Sequence, residues 1–199
     1  RSRGLGDVYK RQWLLYQMER IVRHIIFLIL LFFQNAHAGP NLSDFFDNPK
    51  LVGEGTISFL FFDLYKARLY APSGNWESSK PMALELNYLR EISKEDIVEI
   101  TIEEIIDLGF TDKSIISNWT DELLQIFPNV DDGTQITGIK TKENKTLFFL
   151  DEKEIGSIDH VDFSKYFFDI WLHENTKVPK LRKKLLNLKA DEHKSITPR

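Results

Sequence analysis

The chain has 199 residues, 42% hydrophobic, 13% aromatic and 28% charged, a balance that builds one globular domain and excludes a fibrous or low-complexity chain. It contains no cysteine, so disulfides, thiolate metal sites, a cysteine nucleophile and a lipid-modified N-terminal cysteine are excluded, and stability must come from the core. Residues 1–38 hold six of the 26 basic and two of the 30 acidic side chains, so the remainder carries a net charge of −8, which argues against nucleic acid as a partner.

The first methionine is Met18, and residues 1–17 show no amphipathic period, so they are expected to be an upstream segment outside the fold. Residues 18–38 read as a signal peptide. Arg20, Arg23 and His24 form its basic start, nine apolar residues follow at 25–33, and Ala36-His37-Ala38 places small residues at −3 and −1. A membrane-spanning helix needs about 20 apolar residues, so cleavage after Ala38 and a periplasmic or secreted domain without a membrane span are expected.

Residues 41–50 form a polar lead-in carrying Phe45 and Phe46, expected to pack on the domain as a short irregular or helical piece. Two strands rich in aromatic and β-branched residues are predicted at 53–60 and 61–71, closed by Pro72-Ser73-Gly74. In the second, Phe61, Asp63, Tyr65, Ala67 and Leu69 alternate with Phe62, Leu64, Lys66, Arg68 and Tyr70; both faces are largely apolar, as in a central strand. A third strand at 82–89 places Met82, Leu84, Leu86 and Tyr88 on one side and Glu85 and Asn87 on the other.

The period then changes. Ser93 with Glu95 and Asp96 begins a helix through Ile97, Ile100, Ile105 and Leu108, stopped at Gly109. A second helix starts near Asp112, runs through Ile116, Trp119, Leu123 and Phe127, and ends at Pro128, making a helical hairpin. Three short strands follow at 134–140, 146–151 and 154–158, then a helix carrying Phe163, Tyr166, Phe167, Ile170 and Trp171. Pro179 opens a last helix with Leu181, Leu185 and Leu188, so the domain spans 39–188, and 189–199 reads as a polar disordered tail. This order predicts an α+β fold, a mostly antiparallel sheet with helices on one side.

Several stretches in register resemble the bacterial branch of the chalcone-isomerase-like family. They include VGEG at 52–55, LYKARLYAP at 64–72, ALELNYLR at 83–90, TIEE at 101–104, FPNV at 127–130, ITG at 136–138 and FFDIWL at 167–172, with LRKKLL at 181–186. The resemblance implies an open-faced β-sandwich, a large antiparallel sheet covered by a layer of helices, with a ligand cleft between them. Plant chalcone isomerases close a flavanone ring, and other members of the fold bind fatty acids. Both kinds use an arginine on the strand matching 53–60, where a guanidinium can fork onto a ligand oxyanion or carboxylate. By this resemblance the arginine position falls on Gly53, a hydroxyl position on Tyr65, and the helical tyrosine and asparagine near Asp96 and Glu103; none of the four is retained. Losing one strong oxyanion donor typically costs about 3–4 kcal/mol of transition-state stabilisation, so ring closure by the plant route is not expected.

Six residues are candidates for ligand binding: Asp63, Tyr65, Arg68, Tyr88, Arg90 and Trp119. Tyr65, sharing a strand face with Asp63, is the one candidate acid or base, and the ordinary alternative is a buried tyrosine satisfied by that carboxylate. Arg68 and Arg90, with Lys66, are the basic groups placed to replace the missing arginine, or else they line a solvated strand face. Trp119 and Trp171 could wall an apolar pocket or belong to the core. His160 and His173 stand 13 residues apart, matching no local ligand spacing, so no metal and no cofactor are expected. The expected function is non-catalytic binding of a small amphipathic molecule, a fatty or aromatic acid, between sheet and helices. An isomerase or intramolecular lyase and a structural module of the cell envelope are the alternatives; the sequence identifies no protein partner.

Overall fold

The computed structural model describes residues 39–59 and 62–188; the expected upstream segment, signal peptide and polar tail lie outside these. Six strands form one sheet in sequential order: β1 (Pro49–Phe59), β2 (Phe62–Pro72), β3 (Met82–Tyr88), β4 (Gln135–Lys140), β5 (Thr146–Leu150) and β6 (Lys153–Ile158). Every neighbouring pair is antiparallel. Helices α1 (Lys94–Asp107) and α2 (Lys113–Ile126) fill the β3–β4 connection, while α3 (Val161–Leu172) and α4 (Pro179–Leu185) follow β6.

The helix ends follow from local chemistry. At α1 the Ser93 hydroxyl accepts the Asp96 backbone N–H at 3.1 Å and donates to the Asp96 carboxylate at 2.6 Å. Gly109, with φ of 103°, turns the chain out of that helix in a conformation open to glycine. Asp112 caps α2 by accepting from the N–H groups of Ser114 and Ile115. His160 caps the start of α3 and His173 stands at its end, their Nδ1 atoms accepting the N–H groups of Asp162 and Asn175. Both histidines therefore do local structural work.

All four helices contribute to one core on one face of the sheet. Ala67, Leu69, Leu84, Leu86, Ile136 and Phe148 supply the strand side, and Ile105, Leu123, Phe163, Phe168, Leu181 and Leu185 the helix side. A smaller cluster occupies the opposite face, where Phe46, at 2% exposure, covers Ala83, Ile139 and Phe149. The lead-in, with its 3₁₀ turn at Leu42–Asp44, is thus tied to the sheet face the helices leave open.

Candidate functional site

At one end of the helix-covered face, strand register sets Tyr65 of β2 directly opposite Tyr88 of β3, their rings edge to face at 5.8 Å. Trp171 of α3 reaches down from the helix layer, and its indole N–H donates to the Tyr65 hydroxyl at 2.9 Å. Tyr65 keeps some surface at solvent, but its hydroxyl lies deep among protein atoms. Burial pushes its pKa up to about 12; the indole hydrogen bond pulls the other way and the negative charge of Glu104 adds to the rise. Burial raises Tyr88 as well. A phenol so far from neutrality is poorly matched to proton transfer at pH 7.

The remaining expected residues do not converge on Tyr65. The Tyr65–Asp63 pair does not form: the register shifts between Ile57 and Ser58, and the exposed Asp63 instead accepts the Ser58 hydroxyl at 2.5 Å. Arg68 lies on the sheet face away from the helices, between Glu54 at 3.2 Å and Glu85 at 2.6 Å, with Lys66 joining Glu54 at 3.0 Å. Arg90 is exposed, its guanidinium 5.2 Å from the centre of the Phe62 ring. Trp119 is 2% exposed, stacked on Phe110 at 4.6 Å and edge-on to Phe163 at 5.3 Å, a core position of α2.

The position matching the arginine of the resembled family is closed to any side chain. A Cβ on Gly53 would lie 2.6 Å from the Leu185 carbonyl oxygen and closer still to that of Lys184, because the last turn of α4 rests on β1 there. Gly55 repeats this close approach, with Leu181 2.7 Å from where its Cβ would be. Asp96 is engaged in the α1 cap and Glu103 is exposed.

The opposite end of the same layer is built differently. A cavity of about 450 Å³ opens between the ends of β3 and β4, the Trp76–Ser79 loop and α3. Met82, Phe168 and Leu172, each 2% exposed, form apolar wall. Into it comes Lys140, the last residue of β4, only 6% exposed. Its ammonium donates to the Ser78 carbonyl at 2.6 Å and forms no ion pair among the described residues. Burial holds its pKa below the ordinary lysine range, against the pull of Asp169. Asp169 itself takes the Lys165 ammonium at 2.8 Å. Two further polar atoms at this cavity are buried without a partner among the described residues: Trp76 Nε1 and the hydroxyl oxygen of Ser164, a residue of 0% exposure.

A larger groove of about 670 Å³ runs between α2 and β6, lined by Glu122, Gln125, Asp159 and His160. Among the described residues it holds no buried polar atom lacking a partner, and its carboxylates would repel an acid. Sequence reasoning missed Lys140. The one local signal is alternation, which sets Lys140 on the β4 face of Ile136 and Gly138 rather than on that of Thr137 and Ile139.

A six-stranded antiparallel sheet with its helices on one face defines an open-faced β-sandwich. The chalcone isomerase-like family profile matches residues 46–187, and the chain belongs to that family. Among solved structures it is similar to a fatty-acid-binding protein of Arabidopsis thaliana, with a TM-score of 0.58 and 14% identity over 71% of this chain and 88% of that one. Among curated protein sequences none matches significantly.

Proposed function

We propose that this protein binds a small amphipathic molecule, a fatty or aromatic acid, between its sheet and its helices, and performs no chemistry on it. The observation that carries the reading is the cavity of about 450 Å³ under α3, within the range of about 300–1,000 Å³ that small-molecule sites occupy. Its wall joins apolar side chains to a few polar groups, the arrangement that holds a ligand and fixes its direction. The Arabidopsis protein of the same fold is a fatty-acid-binding protein, which agrees with a binding role.

Absence of catalysis is supported by the other end of the layer. Gly53 has no room for an oxyanion anchor, and the Tyr65 hydroxyl is already engaged and far from neutral in pKa. Export to the periplasm or exterior is the reading the signal-like residues 18–38 support, and no helix of the described residues is long and apolar enough to cross a membrane.

The test is to purify the full chain without delipidation, release small molecules in denaturant and identify them by mass spectrometry. A narrow set of amphipathic acids near one per chain is the expected result. An empty protein whose unfolding temperature is unmoved by a panel of fatty and aromatic acids would overturn the proposal, and turnover of a chalcone panel would overturn its non-catalytic part.

A further inference from the structure

A sheet whose strands follow one another in sequential order has two edges, and β6 is one of them. A strand presents N–H and C=O groups alternately to either side, and those of β6 that face away from β5 meet no partner among the described residues. Natural sheets blunt such an edge with charge, proline or a bulge. The first half of β6 is blunted in this way, since Lys153 and Glu154 are exposed and a register shift leaves Ile155 unmatched in β5. From 156 to 158 the register is regular, and the edge carries neither charge nor proline.

That edge is one wall of the groove of about 670 Å³ between α2 and β6. The consecutive residues 155–159 all line it; successive side chains point to opposite faces of a sheet, so an unbroken run means that the groove follows the edge of the strand rather than one face. The other wall is α2, whose last turn lies so close over Gly156 that a Cβ there would fall 2.6 Å from Ile126. A strand edge facing a helix across a groove takes an extended peptide as an added strand: backbone bonds hold it, and the walls select its alternate side chains. Five strand residues extend about 17 Å, so a segment of about five or six residues matches the length. Charge selects the segment. Glu122 and Asp159, both exposed, line the groove and no lysine or arginine does, while the half-buried Ile115 and Ile126 add apolar wall.

We propose that this groove is the docking site for an extended segment of a partner protein, one that alternates β-branched side chains with lysine or arginine. The segment adds to the sheet as a further strand beside 156–158, with a basic side chain against Glu122. The groove shares no lining residue with the cavity under α3, so the docking site stands whether or not that cavity takes a ligand.

A capped hexapeptide alternating valine with lysine is titrated into the full chain by calorimetry. Its valine–glutamate twin and a version with a central proline, which cannot complete the ladder, are the controls. The lysine peptide is expected to bind, to slow hydrogen exchange of the backbone amides at 156–158 and to leave those of β1 unchanged. Both controls are expected to bind about tenfold more weakly or worse. Glu122→Lys, at an exposed position of α2, is expected to weaken the lysine peptide about tenfold and to strengthen its glutamate twin. Glu99→Lys, the same reversal at an exposed position of α1, is expected to change nothing, and unfolding temperatures show whether each variant still folds. Binding that leaves exchange at 156–158 unaltered, or that the proline does not weaken, would overturn strand addition. Equal affinity for the two twins would overturn selection by charge. Exchange already slow at 156–158 without peptide would give the edge to a second copy if light scattering finds a dimer, or to a segment of this chain if it finds a monomer, and either result removes the partner segment. No binding up to about 1 mM peptide would overturn the docking site altogether.

Discussion

The two ends of the helix-covered face share β3 and α3 and use them to opposite effect. Around Tyr65 the space is closed by aromatic rings, and the hydroxyl that reaches it meets the Trp171 indole. Around Lys140 a hollow remains, with Met82, Phe168 and Leu172 in its wall and an ammonium that donates to the Ser78 carbonyl. The difference teaches that one helix can seal one end of a layer with rings that meet each other and leave room beside a lysine at the other.

The comparison can be broken most severely at its closed end. Trp171→Ala removes a side chain of 6% exposure and strands the Tyr65 hydroxyl, and is expected to cost about 3–5 kcal/mol in denaturant unfolding. Gly53→Ala forces a methyl group into the α4 backbone and is expected to cost about 3 kcal/mol, near the top of the overpacking range, with hydrogen exchange in α4 accelerating first.

Alkali offers a finer probe. A tyrosine whose folded-state pKa is raised holds its proton more tightly folded than unfolded, so its contribution is complete below the unfolded value near pH 10 and disappears as pH rises through the folded value of about 12. Stability is therefore expected to fall over pH 10–12 by about 1.4 kcal/mol per unit for this group. In Tyr65→Phe the slope should become shallower without vanishing, because Tyr88 is shifted in the same direction. The smallest effect belongs to the open end. Without ligand, Lys140→Met is expected to raise stability by about 1 kcal/mol, since it removes a buried charge with no ion partner among the described residues, as thermal unfolding would reveal.

Much of the fold was legible in local patterns. Alternation placed the third strand at 82–89, one residue beyond the observed end of β3, and Ser93, Asp112 and Pro179 marked helix starts within a residue or two, because caps and periods are properties of neighbouring residues. The lead-in was legible too, since two phenylalanines in a polar stretch must bury somewhere. The site was less so. Asp63 alternates with Tyr65 on paper, but a register shift that no local signal announces turns it toward Ser58. Arg68 looked available to a cleft until pairing with β1 and β3 placed two glutamates around it. Lys140 ends a strand, where a lysine is usually solvated; its burial depends on Ser78, 62 residues earlier, and on α3, which follows it.

The 3₁₀ lead-in has a consequence for how the polypeptide tolerates trimming. Phe46 plugs the unhelixed side of the sheet, and Gly39 sits so near Gln135 that an added Cβ would fall 2.5 Å from its amide nitrogen. Cutting the chain beyond residue 46 would bare Ala83, Ile139 and Phe149 as a sticky apolar stripe, making self-association rather than unfolding the first symptom of an over-shortened N-terminus.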